Sequence, residues 1–326
     1  MLEGTGNGGR GRGALMRVAI VGAGGLGLFY GGVLARGEVD VTYLTRGASL
    51  AVLRERGVTL ARADTGEHFT ARVAATDDAA SIGPVDCAIV CVKLYDLDEA
   101  ASAMAPLVGA ETVVIPVQNG IDAAERLGAR LGPGPLVGGV AGLSSTRTAP
   151  GCATSAFAPA ALTFGELGGG ASARTARLGE AFVAAGLPAV VSAEIGVALW
   201  RKFVTVCVAT MSAVARLPLG MLLGRAEPFA LAQSVEREIR ALAAASGVTL
   251  PPGLAEGIRA AMTRDVASAR AYPSQYHDLI AGRRLEIAHL NGAAVRLGRA
   301  LGIPTPVNHA LYTALEAHAD GPPALP

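Results

Sequence analysis

From Met16 onward the apolar positions fall into two alternating rhythms. Short runs rich in β-branched residues, RVAIVGAG at 17–24, DVTYLT at 40–45, DCAIVCVK at 86–93, TVVIPVQNG at 112–120 and PLVGGVAG at 135–142, predict strands. The segments 25–37, 48–56, 96–107 and 121–131 carry the three-to-four spacing of helices. This alternation predicts a parallel sheet with helices on both faces. Residues 150–168 predict a β-rich appendage, followed by a helix at 173–186 and a short strand, AVVS, at 189–192. After Glu194 the strand pattern stops: 195–215, 227–247, 253–270 and 278–301 all read as helices, and GIPTPVNHALYTALEA predicts a Pro-rich turn and a final helix.

The expected organisation is therefore two domains. Residues 16–190 form a doubly wound α/β domain and residues 191–318 an all-helical one, with a short tail at 319–326. The opening MLEGTGNGGRGRGAL, residues 1–15, lacks the apolar core of a signal peptide and predicts a disordered extension outside the fold. A length of 326 residues suits two cores better than one.

The first strand runs directly into VAIVGAGGLG, which sets Gly22, Gly24 and Gly27 as GxGxxG at a strand–turn–helix junction. In that setting glycine permits the tight turn and the close approach of backbone to a pyrophosphate, and the helix N-terminus offers its N–H groups. Gly22, Ala23, Gly24, Gly25, Leu26 and Gly27 are thus the candidate phosphate loop of a Rossmann-type domain. The second strand ends in Thr45 and Arg46 where an NAD site would offer a carboxylate; a guanidinium there suits the 2′-phosphate of NADP(H). Lys93 and Asn119 close the next two strands and fall at the same crevice, where a cofactor's ribose and nicotinamide would lie.

Composition removes other classes. The net charge of +1 is spread over both signs without a basic block, so no nucleic-acid or anionic-membrane footprint exists, and a small molecule is the expected partner. No apolar run reaches the roughly 18 uninterrupted residues of a membrane span. The cysteines, Cys87, Cys91, Cys152 and Cys207, lack zinc-site spacing and read as reduced core thiols of a cytoplasmic protein, with no metal expected.

Lysine usage is the sharper clue. Of 28 cationic residues only Lys93 and Lys202 are lysines. Lys202 opens a run without charge to Ala215, and at helical spacing it faces Val206, Ala209, Thr210 and Ala213. Desolvation over such a face lowers a lysine toward values useful for proton transfer, which an arginine cannot provide. In the 278–301 helix Glu286 falls inside an apolar stripe of Leu279, Leu290, Ala294, Leu297 and Leu301, and so needs a partner, Arg283 being one candidate. Ser274 reads as the N-cap of this helix.

These pieces together resemble the ketopantoate reductase (2-dehydropantoate 2-reductase) family along nearly the whole chain from Met16. The resemblance is carried by VAIVGAGGLG, TRG at 45–47, VK at 92–93, QNG at 118–120, LWRKF at 199–203, REIRALAAASGVTLP at 237–251, SQYHDLIAGRRLEIAHLNG at 274–292 and LGIPTPVN at 301–308. It implies a Rossmann domain followed by a helical domain like that of 6-phosphogluconate dehydrogenases, with NADPH-dependent reduction of ketopantoate to pantoate in pantothenate biosynthesis. It implies Lys202 as general acid, Ser274 on the substrate carboxylate, Glu286 on the substrate's hydroxyl end, on the cofactor or on Lys202 itself, and Asn119 and Lys93 beside the nicotinamide. A homodimer is compatible with it.

The family commonly places asparagines four and eight residues beyond the lysine, on the substrate side. Here those positions are Val206 and Thr210, with Ala288 where aspartate is usual and Ala271 where asparagine is frequent. A more apolar 2-oxo acid, or an imine, is therefore an alternative substrate, and a non-catalytic NADPH sensor is the alternative of a different class.

Overall fold

The computed structural model describes residues 15–155 and 161–323; the opening extension, apart from Leu15, lies outside them, as does the end of the tail. The nucleotide-type domain runs β1 (Arg17–Val21), α1 (Gly25–Arg36), β2 (Asp40–Leu44), α2 (Gly47–Arg56), β3 (Val58–Arg62), β4 (His68–Ala71), β5 (Ala74–Thr76), α3 (Ala79–Ile82), β6 (Cys87–Val90), α4 (Leu97–Ala103), β7 (Val113–Pro116), α5 (Ala123–Leu131), β8 (Gly138–Ala141), β9 (Ser145–Ala149), β10 (Cys152–Ser155), β11 (Leu162–Gly165), α6 (Ala173–Ala184) and β12 (Ala189–Val191). Its main sheet is wholly parallel in the order β5-β2-β1-β6-β7.

Alternation along β1 explains the layering. Val18 and Ile20 enter one core with Phe29, Val33 and Phe182 from α1 and α6, while Ala19 and Val21 enter a second with Leu97, Met104 and Leu127 on the opposite face. Helix α1 is apolar on all sides because a second sheet, β4-β3-β10-β9, covers its outer flank. The sequence pattern left β3, β4 and β5 unassigned. The pattern also places 135–142 within the parallel sheet, whereas β8 pairs antiparallel with β11 in a separate three-stranded sheet; the residues just before it join β7 in parallel at the Val114–Leu136 bridge, with the Val114 N–H on the Pro135 carbonyl and the Val137 N–H on the Val114 carbonyl.

The helical domain comprises α7 (Ile195–Ala215), α8 (Leu219–Leu223), α9 (Ala226–Ala245), α10 (Leu254–Thr263), α11 (Val266–Ala269), α12 (Ser274–Ile280), α13 (Asn291–Leu301) and α14 (Pro306–Glu316). Its core gathers Phe203, Val204, Cys207 and Met211 of α7 around α9, with Ala294 of α13 and Leu311 of α14. By length and mean hydropathy α7 is the one described helix that could cross a membrane, yet more than half of it is buried inside the protein.

Two expected helices are broken. Asp265 accepts from the Ser268 N–H and starts α11 anew, dividing 253–270. The 278–301 helix does not exist: α12 stops where Gly282 adopts φ 62°, with the Gly282 N–H on the Leu279 carbonyl and the Arg283 N–H on the Asp278 carbonyl. That is a Schellman ending, which a glycine at C′ allows. A 3₁₀ turn at Ile287–His289 then leads into α13.

Candidate active site

The crevice opens at the C-terminal ends of β1 and β6, where the strand order reverses, the usual ligand position of such sheets. Gly22 takes φ 98°, and a Cβ there would fall 2.9 Å from Val92 Cγ1. At Gly27 a Cβ would lie 2.0 Å from the Gly22 carbonyl oxygen, so only glycine lets α1 seat this closely on the strand end. Gly24 is different: its nearest such neighbour is the Cys91 carbonyl at 3.9 Å, leaving an open face. Gly22, Gly24, Gly25 and Leu26 are partly exposed, whereas Ala23 and Gly27 are buried. The N–H groups of Gly25, Leu26 and Gly27, in the first turn of α1, have no acceptor within the helix. Open backbone with orphan donors fits a dinucleotide pyrophosphate.

Arg46 follows β2 and begins α2; its exposed guanidinium donates to Glu99 at 2.6 Å. Asn119, half-buried in the loop after β7, has no hydrogen-bond partner among the described residues. Its neighbour Gln118, which the sequence reading passed over, donates to the carbonyls of Val90 and Val92 at 2.9 and 3.0 Å and so ties the β7 loop to the β6 loop. Gln118 Oε1 is buried without a partner among the described residues, and Gln118 lines a cavity of about 30 Å³ together with Gly120, Ile121 and Leu199.

Leu199 belongs to α7, and Lys202 comes one turn later. Lys202 is half-buried and forms no hydrogen bond or ion pair with any described residue. Burial lowers its pKa from the ordinary lysine value. One further turn on, Val206 packs against cores of both domains. Lys202 is thus bracketed by two residues that face the nucleotide-type domain.

Lys93 and Glu286 meet, but not as expected. Lys93 Nζ donates to Glu286 Oε2 at 3.0 Å and to Asp278 Oδ2 at 2.9 Å, while Glu286 Oε1 accepts from the Leu94 N–H at 2.9 Å. Burial by itself would lower the Lys93 ammonium; the two carboxylates and their hydrogen bonds overcome it and raise the pKa above the ordinary value. Glu286 pairs with neither Lys202 nor Arg283, which instead donates to Asp278 at 2.8 Å. Removed from a continuous helix by the Gly282 break, it reaches across to the other domain.

Two further residues depart from expectation. Ser274 does not cap α12: the cap position is Pro273, and Ser274 is exposed with no hydrogen bond to a described residue. Thr210, expected on the substrate side, is fully buried. Its hydroxyl lies 2.6 Å from Asn291 Oδ1 and 3.1 Å from Gln275 Oε1, and Asn291 continues the network to Asn308 Oδ1 at 2.9 Å.

A wider groove of about 400 Å³ lies between α9 and α10 and shares no residue with this crevice. Glu236 and Arg240 on its wall bond one another, and Glu236 caps α10 through the Leu254 and Ala255 N–H groups.

Comparison with known proteins agrees with this architecture. Residues 18–169 match the family model for ketopantoate reductase PanE/ApbA, and residues 194–319 match the model for its C-terminal part. The chain belongs to the ketopantoate reductase family. It is similar to the 2-dehydropantoate 2-reductase of Halobacterium salinarum, 31% identical over 90% of this chain and 95% of that one. A PanE/ApbA family ketopantoate reductase from Ralstonia eutropha JMP134 superposes with a TM-score of 0.84 at 32% identity, covering 93% of this chain and 98% of that one. D-mandelate dehydrogenase, seen with NADH and anilino(oxo)acetate, shares the fold at a TM-score of 0.85 but is only 22% identical, over 93% of this chain and 98% of that one.

Within this ketopantoate reductase family member, Asp278 is the site-side residue that sequence reasoning missed. Its one available signal was the position four residues after Ser274 in SQYHD. At 8% exposure it shares Lys93 with Glu286 across a sequence separation of 185, a contact no local pattern encodes.

Proposed function

We propose that the protein reduces a 2-oxo acid to a 2-hydroxy acid with NADPH, and that 2-dehydropantoate is its substrate. The observation that carries this reading is Lys202, an ammonium without a partner among the described residues, desolvated, on the α7 face that looks toward the nucleotide crevice. Bound NADPH supplies the hydride to the oxo carbon. Lys202 hydrogen-bonds the oxo oxygen, stabilises the negative charge that develops there and delivers its proton. Ser274, exposed at the start of α12, binds the substrate carboxylate. Asn119 holds the nicotinamide side, the glycine loop from Gly22 to Gly27 receives the pyrophosphate, and Arg46 receives the 2′-phosphate. Lys93 and Glu286 set the width of the cleft from opposite walls and contact the cofactor and the substrate's far end.

Val206 favours a second substrate reading. It presents an apolar side chain, packed between both cores, where a polar group would engage a substrate hydroxyl. Such a surface accepts a more apolar oxo acid and discriminates weakly against one lacking the hydroxyl. The deciding experiment follows NADPH oxidation over a panel of 2-oxo acids, with 2-dehydropantoate beside aliphatic and aryl analogues. Efficient turnover of 2-dehydropantoate supports the first reading and preference for an apolar analogue the second. No turnover of any oxo acid would refute both.

A further inference from the structure

The position of Arg147 bears on how a dinucleotide is selected. It lies in β9, the strand tied most directly to the phosphate loop: Ser145 Oγ donates to the Gly25 carbonyl at 2.7 Å, and Ser155 Oγ from β10 bonds Ser145 Oγ at 2.7 Å. The Ser145 carbonyl also sits where a Cβ on Gly25 would have to go, 2.1 Å away. Residues two apart share a face of a strand, so Arg147 faces the same side as Ser145, about 6.5 Å further along. That displacement is about the size of one ribose.

At this point Arg147 meets α2. Its NH1 approaches Ser49 Oγ at 3.5 Å, a long hydrogen bond, and no carboxylate among the described residues pairs with it. Ser49 is 5% exposed and stands three residues after Arg46, whose own guanidinium is held by Glu99 on the other side. Two arginines, Arg46 at the start of α2 and Arg147 from β9, therefore flank the first turn of α2, about one ribose from the pyrophosphate loop. We propose that Arg147 is a second cation for the 2′-phosphate of the dinucleotide, closing on it from β9 while Arg46 closes from the end of β2. The proposal rests on the NADPH reading given above. A phosphate monoester between two guanidinium forks replaces the long Ser49 contact with shorter charge-assisted bonds.

The test measures binding without turnover, by calorimetric titration of the intact protein with adenosine 2′,5′-bisphosphate and with 5′-AMP, which differ only in the 2′-phosphate. We expect the wild type to prefer the bisphosphate and Arg147→Ala to reduce that preference about tenfold, with 5′-AMP affinity within twofold of wild type. Arg147→Lys should fall between, keeping the charge but losing the fork. If Arg46→Ala abolishes the preference while Arg147→Ala leaves it intact, Arg147 has no part in recognition and the cofactor reading survives. Equal weakening of both ligands by Arg147→Ala, with an altered melting temperature, likewise overturns the proposal. A wild type that does not distinguish the two ligands overturns the NADPH assignment itself.

Discussion

Lys93→Met should loosen the joint between the two domains by an amount that can be worked from its surroundings. The side chains of Glu286 and Asp278 are 8% and 12% exposed, and that of Lys93 is 39% exposed. Breaking a fully buried pair costs about 3–5 kcal/mol and breaking an exposed one at most about 1. Each carboxylate keeps one other donor, Glu286 the Leu94 N–H and Asp278 the Arg283 guanidinium. An intermediate cost of about 2 kcal/mol follows, which for a chain of this size lowers the melting temperature by roughly 3 °C. Calorimetric melting should be combined with hydrogen exchange at the Leu94 amide, whose protection depends on Glu286. In a double-mutant cycle, Glu286→Gln should recover part of the loss in the Lys93→Met background. Because the folded pKa of Lys93 is raised, its contribution is fully present below the unfolded lysine value and is lost only as pH climbs through the higher folded one. The difference between wild type and variant should therefore be flat from pH 7 to 9. A melting temperature within 1 °C of wild type, or costs that simply add with Glu286→Gln, would refute the latch.

Other outcomes follow from single contacts. Lys202→Met should lower kcat/KM by about 10²–10⁴-fold, the usual worth of a positioned acid, while raising thermal stability at neutral pH. The sign follows from its lowered pKa: the unfolded chain binds the extra proton, so wild-type stability rises as pH passes from the folded to the unfolded value, and the variant's advantage shrinks over that window. In the wild type, kcat/KM should decline with rising pH at a pKa below 10.5, and loss of that limb in Lys202→Arg would confirm its origin. Gly24→Ala should retain the wild-type melting temperature yet weaken dinucleotide binding at least about tenfold, since the new methyl has room but occupies the open face; Gly27→Ala, 2.0 Å from a carbonyl, should damage folding as well. Thr210→Val should cost about 1–3 kcal/mol by stripping the donor from Asn291, with KM for the oxo acid unchanged within twofold. A large KM effect there would return Thr210 to the substrate side.

What the sequence made legible was local. The strand–glycine–helix junction at Val21–Gly25 depends on neighbours within ten residues, and so does the conspicuous charge of Lys202 on an apolar face; both were readable without coordinates. Glu286 shows where local reading stops. Its apolar spacing suggested a continuous helix, although Gly282 already carried the signal of a helix end, and its partners Lys93 and Leu94 lie more than 190 positions away. Helical spacing puts Thr210 two turns beyond Lys202, but its burial and its hydrogen bonds to Gln275 and Asn291 depend on how α12 and α13 pack on α7. The β3–β4 hairpin escaped because its strands are only five and four residues long: Val58 and Leu60 alternate inward in β3, but so short a run offers little to read, and β4 buries only Ala71.

Helix α7 also has a consequence for how the chain comes into being. Its apolar face is covered by α9, which follows closely, but also by α13 and α14, and the last of these begins at Pro306, about 90 residues after α7 ends at Ala215. At synthesis rates of about 5–20 residues per second, the ribosome exposes a 21-residue apolar segment for roughly 5–20 s before its last partner exists. Nascent chains interrupted between 245 and 306 would carry that face covered by α9 but still missing part of its cover from α13 and α14, which makes this interval one where translation speed and chaperone capture bear on the yield of folded protein.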